Sequence, residues 1–458
     1  MKLYRLLERM EYSVLAGNAD LTISTIEHDS TKVVKDSVFV CINGNKIDGH
    51  DLVNAAIARG ATAIISERQI FVPDHITVIL VGNTKIALSY MAAAYYGYPA
   101  EQLKTVGITG TKGKSTTCCM VQSLLSAGGI KTGVIDEKQV LPARQELDSL
   151  LLHKQLRDMV TEGYEAVVIE VSSKACKQYK MAGISFDYGV LTNIAREHIG
   201  PNEHGSFEEY IECKAQLFRQ CRIGIVNADC EKLPEIMKNH SCRVETYGRR
   251  QNALLYAYQP VLMEKTGYLG NQFYVGGIMC SCFELWMPGL FNIYNALASI
   301  LVARHFMITE ETMKRTFDNL VIKGCQEAVV LSPNYTVIVD SSNDLRSVTE
   351  LISAVKAYVP RRLVCIYNCD QAINRVHRYA IGRTLAMNAD EIVITTDHKE
   401  DQILEEISLG ITDYGGTPKN ILHSIEAISH TILNAKAKDI ILYIGNKIEI
   451  NQEKLVTL

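Results

Sequence analysis

Two periodicities divide this chain. Short, mostly apolar stretches lie at 36–42, 60–66, 106–109, 132–135, 166–171, 188–193 and 222–227. Between them, residues 50–59, 85–96, 115–127, 148–162 and 208–221 place apolar side chains three and four positions apart. The runs predict strands buried on both faces, and the spaced stretches predict helices covering them. The same rhythm returns after Gly324, with strands expected at 337–339, 363–367, 392–395 and 440–444. Residues 243–288 show only short strand-like runs, and 292–305 reads as a strong helix. Repeated β-α-β order implies parallel sheets. The joints in the rhythm divide the chain into 1–102, 103–323 and 324–458, with no repeat or low-complexity tract.

The stretch TVGITGTKGKSTT, residues 105–117, organises the middle part. A buried strand ends at Thr109, a glycine loop follows, and a helix starts at Lys114. Gly110 and Gly113 let backbone N–H groups approach phosphate oxygens, and the helix N-terminus adds partial positive charge. Lys114 can reach the outer phosphates, and Ser115 can ligate Mg²⁺. A strict phosphate loop has Gly where this chain has Ile108.

Composition bounds the remaining choices. The 458 residues exceed a single ordinary core, and 47% hydrophobic with 21% charged content is that of a globular protein. No apolar run reaches membrane-spanning length, and charges interrupt the N-terminal segment, which makes it a poor signal peptide. A net charge of −4 carries no nucleic-acid footprint. The 13 cysteines are scattered without a two-knuckle zinc pattern, so buried thiols in a reducing cytosol are expected, with a structural zinc as the alternative.

Ligands in parallel sheets sit beyond the C-terminal strand ends. Glu170 closes one strand, His198 follows another, and Lys214 lies on the next helix. Singly, they read as a solvated strand end, a structural histidine and a surface lysine. Beside a phosphate loop, a carboxylate becomes a natural Mg²⁺ ligand.

Together these motifs resemble the Mur ligases, most nearly the MurE-type UDP-N-acetylmuramoyl-tripeptide synthetases. HDSTKV (28–33) resembles the family's S-D-S-R-x-V, and DGHDLV (48–53) its D-G-H-D-F-I. GITGTKGKST (107–116) matches G-V-T-G-T-N-G-K-T-T, so Ile108 is no defect of the loop. EVSSKACKQYK (170–180), TNIAREH (192–198), HGSFEEYIECKAQLF (204–218) and MPGLFNIYNALASI (287–300) follow further family segments.

The resemblance implies three α/β domains: an N-terminal UDP-sugar-binding domain, a central P-loop ATPase-like parallel-sheet domain and a C-terminal Rossmann-like domain. It implies ATP and Mg²⁺, with Gly110, Thr111, Lys112, Gly113, Lys114, Ser115, Thr116, Asn292, Asn295 and Asp340 around the nucleotide. Ser115, Glu170, His198 and Lys214 would hold the metal, Lys214 as its carbamate. Ser30, Ser172, Gln178, Lys180 and Glu449 would meet the substrates, a UDP-activated sugar-peptide and an amino acid. The catalytic set would be Lys114, Glu170, His198 and Lys214, in a cytoplasmic monomer that uses neither nucleic acid nor membrane.

Departures from the pattern cluster in substrate recognition. The family's T-T-P reads Gln145-Glu146-Leu147, an Arg reads Lys180, and a Gly-Arg joint reads Gly324-Cys325. The D-Y-A-H-x-P loop keeps Asp340 alone, and G-C-G-G-D-R-D has Ile373 in place of its Arg. The D-N-P-R that takes diaminopimelate reads Asp397-His-Lys-Glu400, a reversal of charge. A ligase whose acceptor is not meso-diaminopimelate is therefore expected. The alternatives are a nucleotide-binding paralogue with weak or no activity, or a Mur-fold ligase acting outside peptidoglycan.

Overall fold

The computed structural model describes residues 1–44, 47–136, 147–197, 199–200, 203–369, 375–396, 401–421, 423–446 and 448. The chain divides into two compact units, Met1–Glu245 and Thr246–Leu458.

The first unit holds two sheets. In one, strands Thr77–Leu80, Ala61–Ser66, Ser37–Val40 and Ile26–Glu27 run parallel, and Ser13–Ala16 adds an antiparallel edge to Thr77–Leu80. Sequence periodicity predicts neither that edge nor Thr77–Leu80. Helix Thr84–Tyr95 covers one face and is capped by Asn83, whose side chain accepts from the N–H groups of Lys85 and Ile86. Leu3, Leu6, Val38, Ile65 and Met91 fill the core beneath it.

The part of the second, nine-stranded sheet formed by this unit's strands up to Asn227 is parallel, in the order Cys221–Asn227, Phe186–Leu191, Lys104–Thr109, Ala166–Glu170, Thr132–Ile135. Helices Lys114–Ala127, Ser149–Thr161 and Phe207–Arg219 belong to this part. Residues 166–170 are buried without exception, as the unbroken apolar run requires. The phosphate-loop strand is central, so the groups that end its neighbours on either side lie beside the loop. The helix expected at 208–221 ends at Arg219, and Cys221 opens the next strand.

Where short runs are expected at 243–288, the second unit holds two long antiparallel strands, Leu255–Lys265 and Tyr268–Gly277, and the short Ser281–Leu285 beside them. A bulge between Tyr258 and Val261, next to Pro260, breaks the alternation that periodicity would need. Helix Phe291–His305 is buried on nearly every side. The last sheet runs Glu327–Ala328, Thr336–Asp340, Asp439–Ile444, Arg362–Asn368, Glu391–Thr395, Pro418–Asn420, parallel except at its first pair. Apolar clusters on both faces give the doubly wound arrangement of a Rossmann-like layer. Among the described residues no helix is long and apolar enough to cross a membrane.

Candidate active site

The glycine loop forms as its composition dictates. Gly110 has φ 148° and Gly113 φ 78°, conformations that L side chains rarely adopt. A Cβ on Gly110 would also collide with the Thr192 hydroxyl.

Residues 192–195, at the end of the adjacent strand, brace this loop. The Thr111 N–H donates to Asn193 O at 2.8 Å, and the Lys112 N–H donates to Asn193 Oδ1 at 2.9 Å. The Asn193 amide and the Thr192 hydroxyl return bonds to Lys112 O at 3.0 and 2.6 Å. Thr111 Oγ1 lies 2.8 Å from Tyr210 Oη and accepts from the Ala195 N–H at 2.9 Å. These braces are not among the residues singled out from sequence. Their signal was the TN pair at 192–193, whose role depends on the sheet order.

Around the loop, Ser115 Oγ donates to Glu170 Oε2 at 2.6 Å, and Lys114 Nζ stands 3.7 Å from Glu170 Oε1. Lys114 also donates to Thr111 O at 3.1 Å. Lys112 pairs with Glu197 at 3.0 Å. Lys214 is 1% exposed and donates to Gly110 O at 2.8 Å, with its ammonium 4.7 Å from the centre of the Tyr210 ring. Burial, then the nearby Lys114 charge, pulls the Lys214 amine down to about 7. A surface lysine is thus ruled out at this position. Lys114, Ser115, Glu170 and Lys214 meet at the loop, with Thr116 on the same first helical turn. His198 lies outside the described residues.

The other expected contacts fall into separate groups. Ser30 is buried, two residues after His28, whose Nε2 lies 3.2 Å from Asp148 Oδ2. Asp148 caps helix Ser149–Thr161 through the Leu151 N–H, and attraction from Lys180 also reaches it. Burial pushes its carboxyl up, but the His28 bond, the N–H and the positive charges outweigh that and lower it overall. Ser149 Oγ lies 2.6 Å from Ser89 Oγ, which donates to Tyr179 O. So residues near 28, 148 and 180 converge, and Asp148 is a member that sequence reasoning missed. Ser172 caps the next helix by accepting from the Ala175 N–H at 3.0 Å. Gln178 Oε1 is buried without a hydrogen-bond partner.

In the second unit, Asn292, Asn295 and Asp340 belong to one buried network. Asn295 Nδ2 donates to Asn292 Oδ1 at 3.1 Å, and Asn292 Nδ2 donates to Gln326 Oε1 and Pro288 O. The Gln326 N–H donates to Asp340 Oδ2 at 3.0 Å. Gln326 is therefore the link that sequence reading left out. Burial raises the Asp340 carboxyl, against hydrogen bonds from Ser342 and Gln326. Glu449, Ile373 and Asp397–Glu400 lie outside the described residues.

Known proteins match this arrangement over its length. Residues 108–303 match the Mur ligase middle domain, 22–96 the Mur ligase family catalytic domain, and 327–447 the Mur ligase glutamate ligase domain. The UDP-N-acetylmuramoyl-L-alanyl-D-glutamate–2,6-diaminopimelate ligase of Clostridium perfringens is 31% identical over 416 residues, 88% of this chain and 85% of that protein. A solved structure of a ligase of that description superposes with a TM-score of 0.73 at 21% identity, covering 98% of this chain and 93% of that one. MurF of Thermotoga maritima in complex with ADP gives a TM-score of 0.61 at 19% identity, with 94% and 96% covered.

Proposed function

The chain belongs to the Mur ligase family and is an ATP-dependent acid–amino-acid ligase; from that premise we propose that it extends the peptide of a UDP-N-acetylmuramoyl-peptide by one amino acid. The observation that carries this reading is the convergence of Lys114, Ser115, Glu170 and Lys214 on the glycine loop.

The donor carboxylate oxygen attacks the γ-phosphorus of ATP, the bond to the β-phosphate oxygen breaks, and ADP leaves. The amine of the acceptor then adds to the acyl carbon, phosphate departs, and the amine loses a proton. Phosphoryl transfer asks mainly for alignment and charge neutralisation. Lys114 supplies a cation, and the N–H groups at the start of the loop helix, beyond the two that Asn193 already takes, supply donors to the phosphates.

Mg²⁺ fits the donors present. Ser115 and Glu170 offer two hard oxygens, and no cluster of three or more acidic, His or Cys side chains forms a closed cage among the described residues. Mg²⁺ binds through one or two carboxylates and leaves its other positions to water and phosphate oxygens. His198 and Lys214 complete the proposed set. The Lys214 ammonium does not suit a metal, but its neutral amine adds to CO₂ with loss of a proton and becomes a carboxylate-like carbamate. An amine lowered to about 7 has a large neutral fraction at neutral pH.

The nucleotide half of the reaction is assigned to 103–323 and the acceptor half to 324–458. The acceptor is an amino acid other than meso-diaminopimelate. Support comes from Glu400, where the family pattern carries the Arg that takes the second carboxylate. An acidic group facing a carboxylate leaves unpaired charge. ADP and phosphate release, measured with UDP-N-acetylmuramoyl-dipeptide and a panel of amino acids, tests both levels. Turnover that depends on a basic or neutral amino acid supports the proposal. Efficient turnover with meso-diaminopimelate overturns the acceptor assignment, and nucleotide binding without turnover for any amine overturns the donor assignment.

A further inference from the structure

At the C-terminal end of the lysine helix, Cys221 and Cys242 are neighbours, each thiol the strongest influence on the other. Each sulfur occupies a recess made by a glycine. A Cβ on Gly189 would stand 2.8 Å from Cys221 Sγ, and one on Gly224 would stand 2.8 Å from Cys242 Sγ. Gly189 and Gly224 are register partners on the adjacent parallel strands Phe186–Leu191 and Cys221–Asn227. Neighbouring strands lie about 4.8 Å apart, so two bare backbones form a floor with two recesses one strand spacing apart. Any side chain at either glycine would displace a thiol.

The surroundings hold the pair in place and polarise it. The Ser241 N–H donates to Phe218 O at 3.2 Å and its hydroxyl to Arg219 O at 3.1 Å, pinning the chain before Cys242 to the helix end. His240 Nδ1 lies 3.8 Å from Cys242 Sγ. Cys221 lowers the Cys242 thiol, burial opposes, and His240 lowers it further, to about 6. The Cys221 thiol moves up, through Cys242 first and burial second. Burial instead pushes the thiols of Cys41, Cys118, Cys213, Cys365 and Cys369 up. Both members of the pair are 6% exposed, so the oxidant that tests them must be as small as hydrogen peroxide.

We propose that Cys221 and Cys242 form a reversible redox dithiol, a modification site that takes hydrogen peroxide and closes to an intramolecular disulfide. The Cys242 thiolate sulfur attacks a peroxide oxygen, the O–O bond breaks, and the departing hydroxide takes a proton to leave as water. Cys242 is then a sulfenic acid. The Cys221 sulfur attacks the Cys242 sulfur, an S–S bond forms, the S–O bond breaks, and a second water leaves with the Cys221 proton. Two thiols lose two electrons, the peroxide gains them, and an external dithiol reverses the change. The link would clamp the strand that follows the Lys214 helix. The site stands apart from the loop chemistry and does not depend on the proposed acceptor.

The test treats the full chain with a small excess of hydrogen peroxide, blocks free thiols with N-ethylmaleimide and maps non-reduced peptides by mass spectrometry. The expected result is that the Cys221–Cys242 link appears before any other and dithiothreitol removes it. In Cys221→Ser, Cys242 is trapped by dimedone as its sulfenic acid, and Cys242→Ser abolishes both products. Oxidation that begins at exposed Cys280, or gives only links between molecules, overturns the proposal. A measurement on the unsubstituted protein guards against misfolded variants: phenylarsine oxide, which bridges neighbouring thiols, protects both cysteines from alkylation. Alkylation of either at the unprotected rate also overturns it.

Discussion

The Ser115 hydroxyl donates to Glu170 Oε2 at 2.6 Å, joining the first turn of the loop helix to the end of the neighbouring strand. The strand that leads into the loop and the strand that ends at Glu170 are register partners through Ile108 and Glu170, so the sheet itself sets this approach. Removing the charge with Glu170→Gln keeps the shape and takes away the anionic oxygen. Turnover is expected to fall on the order of 10²- to 10³-fold, with the Mg²⁺ requirement raised. ADP release titrated with Mg²⁺ measures it, and an unchanged titration curve would remove Glu170 from the metal set.

Lys214 offers a test of chemical identity. Lys214→Ala should lose turnover by about 10²-fold or more, by the scale of a lost charged group at a phosphoryl-transfer site. Short carboxylic acids added to the assay should restore part of it, because they supply the anionic group of the carbamate. Rescue by alkylamines and not by carboxylates would mean that Lys214 acts as an ammonium.

His153 makes stability depend on acid. It is fully buried on helix Ser149–Thr161, and neither ring nitrogen has a hydrogen-bond partner. Burial lowers its imidazole from 6.5 to about 4. The folded state therefore holds the neutral ring while the unfolded chain takes up a proton below 6.5. Its full contribution is present above pH 6.5 and is lost as pH falls toward 4, by roughly 3 kcal/mol in all. Urea unfolding of His153→Leu across this window should show a flatter pH dependence than the parent. Parallel curves would contradict the assignment.

Gln326 carries a prediction for the second unit. Its side-chain carbonyl accepts from Asn292, and its N–H donates to Asp340. Gln326→Ala leaves a buried Asn292 donor with Pro288 O alone, at a cost on the order of 1–3 kcal/mol. Gln326 also has φ 50°, so Gln326→Gly regains part of that loss by relieving the left-handed backbone. Thermal unfolding should rank the parent above Gln326→Gly and Gln326→Ala lowest. Equal midpoints would show that the network adds nothing to stability.

Much of the site was legible from the chain alone. Period and punctuation place the central strand, the glycine loop and the helix starting at Lys114, because each depends on neighbours only a few residues away. Glu170 was visible as a carboxylate closing an apolar run. Lys214 was visible only through resemblance, since its helical position alone reads as surface. Asn193, Tyr210, Asp148 and Gln326 were passed over for a shared reason. Each acts on residues 14 to 120 positions away, and no local pattern encodes such a partner.

The sequence by itself determined the α/β alternation, the phosphate loop and the chemical types available around it. Backbone preference, side-chain period and the absence of a Cβ at Gly110 and Gly113 are local properties, and they persist in any arrangement of the strands. Tertiary structure alone decided that 186–191 and 166–170 flank 104–109. That order buries Lys214 against Gly110, sets Ser115 on Glu170, and lays Cys221 and Cys242 over two paired glycines. Strand order is fixed by the packing of all the helices on the sheet at once, so the surroundings that tune each of these groups exist only in the folded chain.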